Sequence, residues 1–123
     1  MPITIDGARA LELLTEVVEG KRDFVYESPR SDDTCTYQDY EGNASCGIGH
    51  ALVKAGVSVT VLELLDNIPG GASIVSNQAM AILNRFGVKL DYDAMAVFQL
   101  FQLSQDKMNS WGEALDEAVE RTT

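Results

Sequence analysis

Asp23-Phe24-Val25-Tyr26-Glu27 is followed by Ser28-Pro29-Arg30-Ser31-Asp32-Asp33 and then by Thr34-Cys35-Thr36-Tyr37-Gln38-Asp39-Tyr40. In the first segment Phe24 and Tyr26 alternate with Val25 and Glu27, which is the period of a strand. Thr34, Cys35, Thr36, Tyr37 and Tyr40 are likewise β-favouring types. The run between them is turn composition, with Pro, Ser and Asp able to close a reversal. The spacing predicts an antiparallel β-hairpin with strands over 23–27 and 34–40. A two-stranded ribbon is unstable alone, so one of its faces must pack on other elements.

On either side of this ribbon the period is helical. Leu11, Leu14, Val17 and Val18 mark a first helix from Gly7 to Glu19, opened by Asp6 and stopped by Gly20. After the turn Glu41-Gly42-Asn43-Ala44, Ser45 is the expected N-cap of a short helix from Cys46 to Ala55, with Gly56 as its stop. Another helix begins near Ser58 or Thr60, presents Val61, Leu64, Leu65 and Ile68, and ends at Pro69-Gly70-Gly71. Ser76 or Asn77 opens the next, which carries Ala79, Met80, Ile82, Leu83 and Phe86 to Gly87. Val88-Lys89-Leu90 is short, and as a strand it would extend the hairpin. Asp91 opens the longest periodic segment, with Met95, Phe98, Leu100, Phe101 and Leu103, running to Met108. Ser110-Trp111-Gly112-Glu113 has the form of a capping box before the last apolar face of Ala114, Leu115, Ala118 and Val119. The sum is an α+β chain, a mostly helical single domain over residues 1–123 with one antiparallel β-hairpin.

Composition narrows the function classes. The chain has 123 residues and a formal net charge of −10, with 46% apolar residues. One core of modest size fits that length. Direct nucleic-acid binding is not expected, because phosphate must be met by Lys and Arg. An anionic membrane surface would repel the chain for the same reason. No apolar run reaches the length of a membrane span, and the N-terminus lacks the basic start and apolar core of a signal peptide. A cytoplasmic protein with reduced cysteines is the expectation.

The chemistry-bearing residues concentrate between Cys35 and His50, which holds both cysteines and the one histidine. Cys46 at a helix start sits where the backbone N–H groups favour a thiolate, and His50 follows one turn later. Cys46 and His50 are therefore the catalytic candidates, a nucleophile and a base. Such enzymes ordinarily take the base from a distant segment, so an unreactive buried cysteine is the competing expectation. A zinc set of Cys35, Cys46 and His50 with Asp39 or Glu41 departs from the paired-cysteine spacing of structural sites, and no metal is expected. No cofactor is expected either, since Gly42, Gly47 and Gly49 lack the order of a phosphate loop. Close approach of another backbone, from the hairpin or the last helix, accounts better for Gly47 and Gly49.

Cys35-x-Tyr37, Gly42-x-Ala44-x-Cys46-x-x-Gly49-His50-x-Leu52, Gln102-x-x-Gln105-Asp106 and Trp111-Gly112-x-Ala114-Leu115 resemble the pattern of a loose group of small uncharacterised proteins of actinobacteria and their phages. That group would carry proline at Ala44, alanine at Phe101 and glycine at Met108. The resemblance implies a host or phage setting and no mechanism.

Two function classes follow. The first is a small acidic cytoplasmic interaction protein, phage-encoded on the resemblance, which binds and modulates a host protein. The alternative is a cysteine-dependent enzyme or thiol switch using Cys46 and His50. Two further arrangements stay open: a homo-oligomer through the apolar helix faces, and nucleic-acid mimicry. Mimicry would use Glu12, Glu16 and Glu19 on the first helix and Glu113, Asp116, Glu117 and Glu120 on the last.

Overall fold

The chain enters at strand β1 (Ile3–Ile5), whose last residue runs through Asp6 into helix α1 (Gly7–Val18). A computed structural model describes residues 2–27, 37–38, 44–69 and 73–122. Asp6 is extended and its carboxylate accepts from the Arg9 N–H at 2.8 Å, which satisfies one of the orphan donors of the first turn. The same device recurs later in the chain. Strand β2 (Val88–Leu90) runs through Asp91 into helix α5 (Tyr92–Asp106), and the Asp91 carboxylate accepts from Ala94 N–H at 2.8 Å.

The two strands pair in parallel, Ile3 with Val88 and Ile5 with Leu90, so the two strand–cap–helix units lie side by side. Asp91 N–H donates to Ile5 O at 3.2 Å and carries the pairing up to the second cap. Helix α1 then packs along α5, and α6 (Trp111–Thr122) packs against both. Leu13, Leu14, Val17, Phe98, Phe101, Ala114 and Leu115 fill the core between these helices.

Three shorter helices complete the architecture: α2 (Gly47–Lys54), α3 (Val59–Asp66) and α4 (Asn77–Arg85). Ser58 and Ser76 cap α3 and α4 through their hydroxyl oxygens. At α6 the capping box forms in both directions. Ser110 Oγ accepts from Glu113 N–H at 3.2 Å, and Glu113 Oε1 accepts from Ser110 N–H at 3.3 Å. Among the described residues no helix is long and apolar enough to cross a membrane.

The expected antiparallel hairpin is overturned. Among the described residues the fold is six helices with a two-stranded parallel sheet, and neither strand comes from the segments assigned to the hairpin. Val25 bridges antiparallel to Ser110, while Phe24 O and Arg22 O accept from the N–H groups of Trp111 and Gly112 at 2.8 and 2.9 Å. The strand-like segment thus gives its acceptors to the start of α6. Tyr37 N–H and Gln38 N–H are taken by the two carboxylate oxygens of Asp66, both at 2.8 Å, and among the described residues Gln38 forms an isolated antiparallel bridge with Ala44. The expected turn at 28–33, most of the second strand, and 41–43 lie outside the described residues, as do Cys35, Asp39 and Glu41.

Two further expectations shift. Val88–Leu90 is a strand, but its partner is Ile3–Ile5. The N-cap of α2 is Cys46 instead of Ser45, because Ser45 is engaged elsewhere: its N–H donates to Tyr37 O at 2.9 Å and its hydroxyl lies 3.3 Å from that of Tyr26.

Candidate functional site

Two of the three glutamines of helix α5, Gln102 and Gln105 at an i, i+3 spacing, turn into the protein and are almost fully buried. A buried amide is costly unless both its ends are met. Gln105 Oε1 accepts from Gly47 N–H at 2.8 Å and from Trp111 Nε1–H at 3.1 Å. One oxygen therefore ties the first turn of α2 to the first residue of α6. Gln102 Oε1 accepts from Ile74 N–H at 3.1 Å, and its Nε2 donates to the Tyr37 hydroxyl at 3.0 Å. Asp66, at the end of α3, holds the backbone on the other side of Tyr37.

Tyr37, Cys46, Gln102, Gln105 and Trp111 thus meet where α2, α5 and α6 converge. Burial pushes the Tyr37 hydroxyl far above its ordinary range. The Gln102 hydrogen bond pulls the other way, and the Asp66 and Asp106 carboxylates add to the rise. Tyr37 remains a neutral phenol at any physiological pH. Partial burial also raises the Asp106 carboxyl above its ordinary value, opposed by the hydrogen bond from the Gln105 amide at 3.3 Å.

Cys46 is fully buried, and its sulfur accepts from Gly49 N–H at 3.4 Å as the cap of α2. It is disulfide-bonded, in place of the reduced cysteine expected from the sequence. The chain's other cysteine, Cys35, is outside the described residues. A sulfur in a disulfide has no thiolate to offer as nucleophile or metal ligand until it is reduced. His50 lies one turn along α2, with its N–H donating to Cys46 O at 3.0 Å. Its half-buried ring stands edge-on to Trp111, with ring centres 5.8 Å apart. Trp111 is a core residue that also meets Phe24 at 4.5 Å in an edge-to-face contact.

The glycines explain how the elements come so close. A β-carbon on Gly49 would run into the carbonyl oxygen of Tyr37, so the expected approach of another backbone is met there. At Gly47 the neighbour is the Phe101 ring of α5. Tyr37, Cys46, Gly49, Gln102, Gln105 and Trp111 are thereby brought to one junction.

Sequence reasoning missed the tethering roles of Gln102, Gln105 and Asp66. The signal available was the i, i+3 pair of glutamines inside an apolar helix pattern. Comparison of the chain with protein-family models, with curated proteins and with solved structures gave no match.

Proposed function

We propose that this chain is a small acidic interaction protein that works without catalysis, binding and modulating a host macromolecule through its carboxylate-rich surface. The cytoplasmic and phage setting follows the sequence and its resemblance. The observation that supports this reading is the packing of α1 against α6, two helices whose outer faces both carry acids. Glu12 and Glu16 line α1 with Glu19 as its C-cap, and Glu113, Asp116, Glu117 and Glu120 line α6. Arg9 pairs with Glu12 and Glu16, Arg22 with Asp116 at 2.6 Å, and Arg121 with Glu117 at 3.5 Å. Such exposed pairs contribute at most about 1 kcal/mol each, so a stability role does not account for the excess acid. A field of one sign steers a partner of the other.

The test is capture from an actinobacterial lysate with wild type and with a Glu12→Lys/Glu16→Lys/Glu120→Lys variant. A saturable partner that is released by salt and lost by the variant, at unchanged melting temperature, is the expected result. Binding that ignores the charge reversal overturns the reading.

One observation favours a second reading, the thiol switch: Cys46 is oxidised. In a cytoplasm that keeps thiols reduced, such a bond is transient and its state can carry a signal. Reduction by a dithiol would leave Cys46 as a thiol at the N-terminus of α2, beside His50. Alkylation of Cys46 in cells, trapped with acid, should then change with oxidant stress. A constant alkylated fraction sinks this reading.

A further inference from the structure

We propose that the outer edge of β1 is a self-pairing surface, on which a second copy of this chain lays its own β1 antiparallel, so that two small sheets become one of four strands. The inference goes beyond the interaction reading above and does not depend on it.

Successive residues of a strand turn their backbone N–H and C=O to opposite sides. Ile3 N–H donates to Gly87 O at 2.8 Å and Ile5 O accepts from Asp91 N–H at 3.2 Å, so Ile3 and Ile5 turn their backbone groups to β2. Pro2 O, Thr4 N–H, Thr4 O and Asp6 N–H therefore point the other way. Among the described residues nothing pairs with these four groups. Pro2, Thr4 and Asp6 are all exposed. The far edge of the sheet differs: its outward groups belong to Val88 and Leu90, which are buried, and α4 and α5 pack against that strand. One edge is closed and the other is a template for a further strand.

The order of donors and acceptors selects a second copy as the occupant. With Thr4 opposite Thr4 of the other chain, each Thr4 N–H meets the other's carbonyl, as in the hydrogen-bonded pairs of an antiparallel ladder. Two residues along, Asp6 lies opposite the other chain's Pro2, and Asp6 N–H meets Pro2 O. The remaining bond of that pair would need a donor from Pro2, which has none. Its acceptor would be Asp6 O, which already takes Ala10 N–H at 2.9 Å. The missing donor falls on the occupied acceptor, at both ends by symmetry. Four hydrogen bonds form and no group of the edge is left over. The contact is isologous, the form of closed dimers.

Each copy carries a charge of −10, which opposes the pair. The two Asp6 residues stand at opposite ends of the contact, about 13 Å apart along the strand, beyond the screening length of about 8 Å. Beside the contact itself, in register with Thr4, is the cation Lys89.

A pair made by four hydrogen bonds is weak, with a dissociation constant on the order of 1 mM. Sedimentation equilibrium and amide exchange on the whole chain at rising concentration test it. Dimer should appear with concentration, and added salt should tighten it, the reverse of the salt-released lysate partner. Exchange at Thr4 and Asp6 N–H should slow in proportion to the dimer population, while Ile3 and Ile5 N–H, already held by β2, stay as they are. Thr4→Pro removes an N–H that β2 does not use, at a position where an edge strand accepts proline. It should weaken the dimer about tenfold at little change in melting temperature. If the variant is less stable than that, the alternating exchange in the wild type decides.

A chain that stays monomeric up to millimolar concentration overturns the proposal, and so does a dimer in which Thr4 and Asp6 exchange as fast as in the monomer. Slowing at Thr4 that appears only on adding a lysate partner gives the edge to that partner and overturns the second copy. The charge-reversal test is untouched by these outcomes, so the interaction reading stands or falls separately.

Discussion

The paired strand–helix units and the junction at the start of α2 are held together by different physics. In the units, β1 with α1 and β2 with α5, two aspartates cap two helices and the interior is aliphatic and aromatic. At the junction the fastening is polar: two buried glutamines, a neutral tyrosine, an indole N–H and a carboxylate clamp, with glycines allowing the approach. Burial of apolar surface tolerates some shift, because it has no direction. Hydrogen bonds from one amide oxygen to two separate helices do not, so the junction fixes how α2, α5 and α6 meet.

The sharpest way to break the first region is to remove volume. Phe98 is fully buried in α5, and Phe98→Ala should cost about 3–5 kcal/mol through lost burial and the cavity left behind. Urea unfolding measures it as a lower midpoint at unchanged slope.

At the junction the break is a change of chemistry at nearly constant shape. Gln105→Leu puts an apolar side chain of similar size in place of the amide and strands two buried donors, Gly47 N–H and Trp111 Nε1–H. Each unpaired donor costs about 1–3 kcal/mol. The loss should come with altered Trp111 emission in the native baseline, and Phe98→Ala supplies the contrast. If Gln105→Leu is neutral, the polar fastening is no more directional than the core.

The smallest effect separates local from tertiary stabilisation. Ser110→Ala removes half of the capping box, and Ala at the N-cap costs about 1 kcal/mol. It also tests the Val25–Ser110 crossing, since the backbone bridge remains when the hydroxyl goes. Amide exchange at Trp111 and Gly112, whose N–H groups are held by Phe24 O and Arg22 O, should stay slow. Fast exchange there would show that the crossing depends on the cap.

Much of the helical half was legible for a simple reason. Helix starts and stops are local events: Asp6, Ser58, Ser76, Asp91 and Ser110 are short acceptors beside the donors they satisfy. Gly20, Gly56 and Gly87, the expected stops, have φ of 74°, 98° and 78°. The chemistry of Cys46 and His50 was legible only as a list of residue types. Whether a thiol is free, buried or bonded depends on what lies across from it.

The errors have the same origin. Phe24, Val25 and Tyr26 have the alternation of a strand, and that pattern does not name the partner. Their segment found the turn before α6, and Val25 pairs with Ser110. Along α5 the apolar pattern also misleads at three positions. Leu103 is 50% exposed, while Gln102 and Gln105 face inward because four groups far apart in the chain, at Tyr37, Gly47, Ile74 and Trp111, need their amides.

The sequence by itself determined where most helices begin and end and that the surface is acidic, because capping, periodicity and charge act over a few residues or none. Tertiary structure alone decided which strands pair, that Cys46 is oxidised and capped against α2, and that two glutamines bind the junction. Each of those depends on groups far apart in the chain coming within bonding distance.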